Sequence, residues 1–362
     1  MTEQKDSQRT LSFLAILAAI VVIIWGIYQA RSVLVLFLVS VFLAVLGMPP
    51  VFWLIRKRVP SALAILIAVA GMIVVLLLVG LVLGTSISSF SAALPLYQAR
   101  LQEQILGIKT LLAGRGVEFT DKIILDYLNP GRVMGLTAGL LAGLGSAFSN
   151  IVLILLTVTF ILFEASSFSV KFRSALGDRP IVFQQFNRFM TDIKRYMVIQ
   201  TAISLTTGIL IAAWLAVLGV DFPILLGLLA FLLNYVPNLG SIIAVIPALI
   251  LAFIQFGIGR AALTVAGYLA VGFVIGNVVQ PRLMGQKLGL STLVVFLSLI
   301  FWGSLLGPIG MVLCVPFTMA LKFAFESSGS TRWIAVFLGN DPALEVTPLE
   351  AKRKRKRRAK NR

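Results

Sequence analysis

The sequence predicts an all-α, polytopic membrane protein with about eight transmembrane helices, some of them discontinuous, plus a small extramembrane helical insert. Three observations predict it. Of the 362 residues, 59 % are hydrophobic and only 12 % charged, with a mean hydropathy of +1.00; a soluble domain would carry about 25 % charged residues. Several stretches close to one bilayer in length carry no charge, and a helix of about 20 residues crosses a hydrocarbon core of about 30 Å. Finally, Pro, Gly and Asn interrupt the longest apolar runs, above all in FLLNYVPNLGSIIAVIP at 231–247. Proline lacks an amide donor and its ring clashes with the preceding turn, so a helix breaks or bends there.

The first three spans occupy 1–84. A polar leader at 1–10 precedes an apolar run at 11–28, and no small-residue cleavage site follows it, so it reads as a span. Arg31 separates it from 33–46, which runs to Pro49 and Pro50; Arg56, Lys57 and Arg58 form a basic loop before the third span at 61–83. Charges return in 85–132. There Leu94, Leu101, Ile105, Ile108 and Leu112 fall at helical spacing, and Thr120 begins a second short segment that Pro130 and Gly131 stop. This stretch reads as a helical hairpin outside the bilayer.

Residues 133–195 hold a fourth span and an amphipathic connector. Gly135, Gly139 and Gly143 recur every four residues, a spacing that lets helix backbones approach closely. The span at 148–163 ends at Glu164. In 168–195, Val182, Phe183, Phe186, Phe189, Met190 and Ile193 share one face opposite Arg188 and Asp192, the pattern of a helix lying in the membrane interface.

Residues 196–325 read as the transport core. A fifth span at 196–218 leads through Asp221 and Pro223 into a segment reaching about 256. At over 30 residues this is too long for one straight crossing, so two half-helices or a re-entrant arrangement is expected. Its interruption carries Asn234, Tyr235, Pro237, Asn238, Gly240 and Pro247. A seventh span at 261–277 ends in NVVQPRLMGQKLGLS, with Asn277, Gln280, Pro281 and Gly285. The last run, 293–321, is interrupted by WGSLLGPIG and by Pro316. Broken backbone survives at membrane depth only where protein packs it or water reaches it. The Asn and Gln residues therefore suit either of two tasks: hydrogen bonding to a hydroxylated solute, or satisfying amides freed by the prolines.

Residues 326–362 form a polar tail. The eleven residues from Lys352 to Arg362 hold nine Lys or Arg, about half of the net charge of +17. Basic residues gather in cytoplasmic segments, and they crowd 56–58, 165–195 and the region after Lys322, which predicts a cytoplasmic C-terminus. The tail suits anionic lipid head groups, at about 1 kcal/mol per basic residue, which disfavours nucleic acid as its partner.

Composition also excludes chemistry. There is no histidine and a single cysteine, Cys314. Histidine-based triads and HExxH zinc sites are ruled out, no nucleophile–base signature stands in their place, and no enzyme activity, metal or cofactor is expected.

Three motifs resemble those of the autoinducer-2 exporter family of bacterial permeases: LLNYVPNLGSIIAVIPA (232–248), NVVQPRLMGQKLGL (277–290) and STLVVFLSLIFWGSLLGPIGMVLCVP (291–316). They occur in the family's order; the first half matches only in layout. The resemblance implies a multi-pass inner-membrane exporter, a homo-oligomer, whose relatives release the quorum-sensing furanone autoinducer-2 or exchange sodium or lithium for protons. It assigns the substrate pathway to Asn234, Tyr235, Pro237, Gly240 and Pro247 and to Asn277, Gln280, Pro281 and Gly285. Cation–proton exchange would instead need a carboxylate within the membrane field, for which Glu164, Asp192 and Asp221 are the candidates. A third reading is a non-transport scaffold acting through the insert and the tail.

Overall fold

The structure is a computed structural model that describes residues 21–113, 150–176, 180–237, 239–284, 290–327 and 331–339, with isolated helical positions at 18–19, 135 and 138–139. Asn238, Gly143, Gly285, the second half of the insert and the basic tail lie outside the described residues. Every described element is a helix: α1 (Arg31–Arg56), α2 (Ser61–Ala113), α3 (Ile151–Leu176), α4 (Pro180–Leu218), α5 (Pro223–Leu233), α6 (Gly240–Phe256), α7 (Ile258–Val274), a π-turn (Ile275–Val279), α8 (Gln280–Met284), α9 (Thr292–Leu306), α10 (Pro308–Ser327) and α11 (Arg332–Leu338). Among the described residues five helices are long and apolar enough to cross a bilayer, and α5, α6, α9 and the apolar part of α3 are shorter apolar helices.

Two of the expected boundaries shift. The third span and the first helix of the insert are one helix, because α2 continues from Ser61 to Ala113 without a break at 84–85. Thr85 turns its hydroxyl back onto the carbonyls of Leu81 and Val82 instead of capping a new helix. Phe90, Tyr97 and Leu101 then carry the buried face onward. Likewise, the basic connector and the fifth span are one helix, since α4 runs unbroken from Pro180 to Leu218. The rings of Phe186 and Phe189 pack on Phe323 of α10, the latter stacked at 4.5 Å between centroids. Phe186 and Phe189 of the connector's apolar face therefore pack against protein.

The chain forms two compact units. One comprises 1–31, 176–196 and 284–362. In it Gly307, at φ 70°, turns the chain between α9 and α10, so the last hydrophobic run is a helical hairpin. A side chain at Gly310 would collide with the carbonyl of Trp302, which only glycine avoids.

The second unit, 32–175 and 197–283, has two apolar cores strung along α2. Near its N-terminal end Ala64, Ile65, Ala68 and Val69 meet Ala44 and Val51 of α1 and Ile154, Val158 and Leu162 of α3. The buried Ser40 hydroxyl sits between the carbonyls of Leu36 and Ile154. Farther along, Leu83, Phe90, Tyr97 and Leu101 pack with α4 to α7. At the α4–α5 crossing, Gly208 and Gly227 face each other so closely that a Cβ on Gly208 would lie 2.7 Å from the Gly227 carbonyl oxygen. Gly208, Ala212 and Gly227 thereby let α4 and α5 approach closely. Among the described residues, a Cβ at Gly135 or Gly139 meets nothing within 4 Å.

Candidate functional site

The expected interruption is a helical hairpin. α5 ends at Leu233 and α6 starts at Gly240. At 1.5 Å per residue these are roughly 16 and 25 Å long, so neither alone spans a bilayer core of about 30 Å. The turn tightens through short-range bonds: the Val236 amide donates to the Leu233 carbonyl at 2.8 Å, and the Leu239 amide to the Pro237 carbonyl at 2.7 Å. Gly240 comes back over the carbonyl of Leu233 with no room for a Cβ. Pro237 is half-buried in the turn, and Pro247 is buried within α6.

A knot of polar side chains holds this turn. Gln200 of α4 donates from Nε2 to the Asn234 carbonyl at 2.8 Å. Asn234 donates from Nδ2 to the Ser204 hydroxyl at 3.0 Å. The Tyr235 hydroxyl meets that of Thr201 at 2.7 Å, and Thr201 in turn donates to the Met197 carbonyl. The Tyr235 ring is enclosed edge-on by Phe42 and Phe231. Gln200, Ser204 and Tyr235 are 6 %, 0 % and 6 % exposed, so these bonds form away from bulk water, where an unmade one is costly.

Gln200, on the neighbouring helix, satisfies a carbonyl at the break. Asn234 spends its side chain on Ser204. Gln200, Thr201 and Ser204 were not singled out from sequence. The available signal was polar residues at 200, 204 and 207, spaced to share one face of an otherwise apolar span.

The second interruption is of another kind. Residues 275–279 form a π-turn that leads directly into Gln280 and Pro281. Pro281 has no N–H for the carbonyl four residues back, and widening the helix by one residue accommodates its ring. Asn277 is exposed and donates to the carbonyl of Phe273 on its own helix at 3.1 Å. Among the described residues no hydrogen bond joins Asn277 to Asn234 or Tyr235. Gln280 is half-buried and Pro281 exposed.

The three carboxylates lie on the surface. Glu164 is in α3 and Asp192 in α4. Asp221, between α4 and α5, accepts a 2.6 Å hydrogen bond from Tyr97 of α2, while its amide donates to Gln255 Oε1 at 3.1 Å. Two buried polar atoms of the same unit, Gln255 Nε2 and the Tyr268 hydroxyl, have no hydrogen-bond partner among the described residues. Buried groups of this kind ordinarily bind water or a ligand. No group of three or more His, Cys, Asp or Glu able to hold a metal occurs among the described residues.

The AI-2E family transporter model matches residues 15–328. The chain is 39 % identical over 331 residues to the AI-2 transport protein TqsA of Escherichia coli (strain K12), covering 91 % of this chain and 96 % of that one. It is 36 % identical to the protein YhhT of the same organism, over 89 % of this chain and 93 % of that one. A Haemophilus influenzae relative shares 37 % identity over 90 % and 95 %. The match covers both interruptions and nearly every described helix, and the chain belongs to the AI-2E transporter family.

Proposed function

We propose that this multi-pass membrane protein exports a small polar organic solute across the inner membrane, with autoinducer-2 as the first candidate. The observation that carries the reading is the α5–α6 hairpin: a broken segment inside an apolar unit, with amides and hydroxyls gathered around it. In transporters, discontinuous helices of this kind form solute sites. Beyond the bonds they make to one another, the Asn234 side-chain oxygen and the Ser204 hydroxyl hydrogen keep capacity that suits a hydroxylated molecule. The unpartnered Tyr268 hydroxyl supports a polar or hydrated interior. The name of TqsA supports the solute. Pro237, Gly240 and Pro247 shape the passage, while Asn277, Gln280, Pro281 and Gly285 form its second element. The C-terminal tail faces the cytoplasm and anionic lipid, and the protein works as a homo-oligomer.

Cation–proton exchange is the weaker reading. It needs a carboxylate within the membrane field, and of the candidates Glu164, Asp192 and Asp221 the last is already engaged by Tyr97. Membership in a transporter family speaks against a scaffold.

The test compares internal and external autoinducer-2, alongside other metabolites, in cells with and without the protein. Asn234→Ala and Ser204→Ala, at equal membrane abundance, should raise internal solute. Unchanged levels of every metabolite on expression of the wild type would remove the export reading. Retained sodium-dependent proton movement in vesicles, lost in Asp221→Asn, would favour exchange.

A further inference from the structure

Away from the polar knot, the outer face between α4 and α7 carries an open groove. Leu210, Ala213 and Val217 line it from α4, and Leu263, Ala266 and Ala270 from α7. Trp214 closes its floor. The indole rests on Gly267, where no Cβ would fit, and its Nε1 donates to the Leu263 carbonyl at 3.1 Å. The exposed alanines make the channel, and the longer aliphatic side chains make its walls. In a bilayer such a furrow faces hydrocarbon.

One end of the groove is charged. Arg260 lies one turn before Leu263 and is exposed. Its Nη1 donates to the Leu218 carbonyl at 2.9 Å, and the guanidinium sits 3.9 Å above the Phe256 ring. These contacts hold it at the Leu218 end of α4, next in sequence to Val217 of the groove wall. A guanidinium carries five N–H donors. Among the described residues no carboxylate lies within salt-bridge distance of it. An apolar furrow one chain wide, beside an arginine that meets no carboxylate among the described residues, matches a molecule with an acyl tail and an anionic head.

We infer that the α4–α7 groove binds one anionic phospholipid, its phosphate on Arg260 and one acyl chain along Ala213, Ala266 and Ala270. Arginine is suited to phosphate because its planar fork pairs with two oxygens at once. This site is separate from any lipid contact of the basic tail.

The test uses the full chain purified in detergent, stripped of lipid and titrated with phosphatidylglycerol or phosphatidylcholine of equal chain length, read by native mass spectrometry. Neutralising the nine basic residues of the tail to Gln removes that competing source. The wild type and the tail-neutralised chain should each keep one phosphatidylglycerol per subunit. Ala266→Trp, which fills the furrow, should weaken that binding at least tenfold. Arg260→Gln should weaken phosphatidylglycerol about fivefold, the value of one basic side chain at an anionic surface, and leave phosphatidylcholine unchanged. Arg260→Gln leaves the furrow open and serves as the second reading if Ala266→Trp folds poorly. Three results would each overturn the inference: unaltered binding in both variants, loss of all phosphatidylglycerol preference when the tail alone is neutralised, or efficient cross-linking of Ala266→Cys between two copies, which would seat a neighbouring subunit in the groove.

Discussion

Gln200 of α4 donates its side-chain amide to the main-chain carbonyl of Asn234, 34 residues on, at 2.8 Å. The bond ties a continuous helix to the point where the next one breaks, and both groups lie in the apolar interior of the unit. Replacing Gln200 by Leu leaves that carbonyl unpaired at a cost of about 1–3 kcal/mol. The expected outcome is a lower thermal midpoint in detergent, measured by intrinsic fluorescence. Gln200→Glu, whose neutral form still carries a donor, should regain part of the loss at acidic pH and none at alkaline pH, where only acceptors remain.

Gly240 should tolerate no side chain. Its Cβ would strike the Leu233 carbonyl, so Gly240→Ala must reopen the hairpin. Gly276, inside the π-turn, has nothing within 4 Å of a built Cβ. Gly276→Ala should therefore fold to the wild-type yield, while Gly240→Ala gives a reduced monodisperse fraction by size-exclusion chromatography.

Gly267 and Trp214 should be energetically coupled. Gly267→Ala alone drives a methyl into the indole and should cost about 1–3 kcal/mol, as overpacking does. In a Trp214→Ala background the same change should be nearly neutral. A double-mutant cycle on unfolding midpoints measures this, and additive effects would count against the contact.

The bond between Tyr97 and Asp221 should be worth about 1 kcal/mol, reduced from the value of a buried charged bond because the carboxylate is exposed. Tyr97→Phe and Asp221→Asn should each lower the thermal midpoint slightly. The double variant should add little to either, since one bond serves both residues.

The sequence made the first interruption legible because proline, glycine and asparagine have strong local consequences. Pro237 and Gly240 mark the turn whatever surrounds them. The partners of that turn were hidden, since Gln200, Thr201 and Ser204 sit in a span whose average is apolar, and only their spacing marks one face. Asn277 and Pro281 suggested a loop. The structure instead absorbs the proline by widening the helix, a choice made by neighbouring packing that short-range patterns do not encode. The length of α2 was obscured for a related reason. The returning charges marked a separate helix outside the bilayer, yet Phe90, Tyr97 and Leu101 had a tertiary surface to follow. The α4–α7 furrow required two distant helices to be side by side before its alanines had meaning.

α2 is 53 residues long, about 80 Å at the usual rise, and is gripped near its start by α1 and α3 and near Tyr97 by the broken hairpin. One unbroken backbone thus belongs to both apolar cores, and no loop separates the first grip from the hairpin.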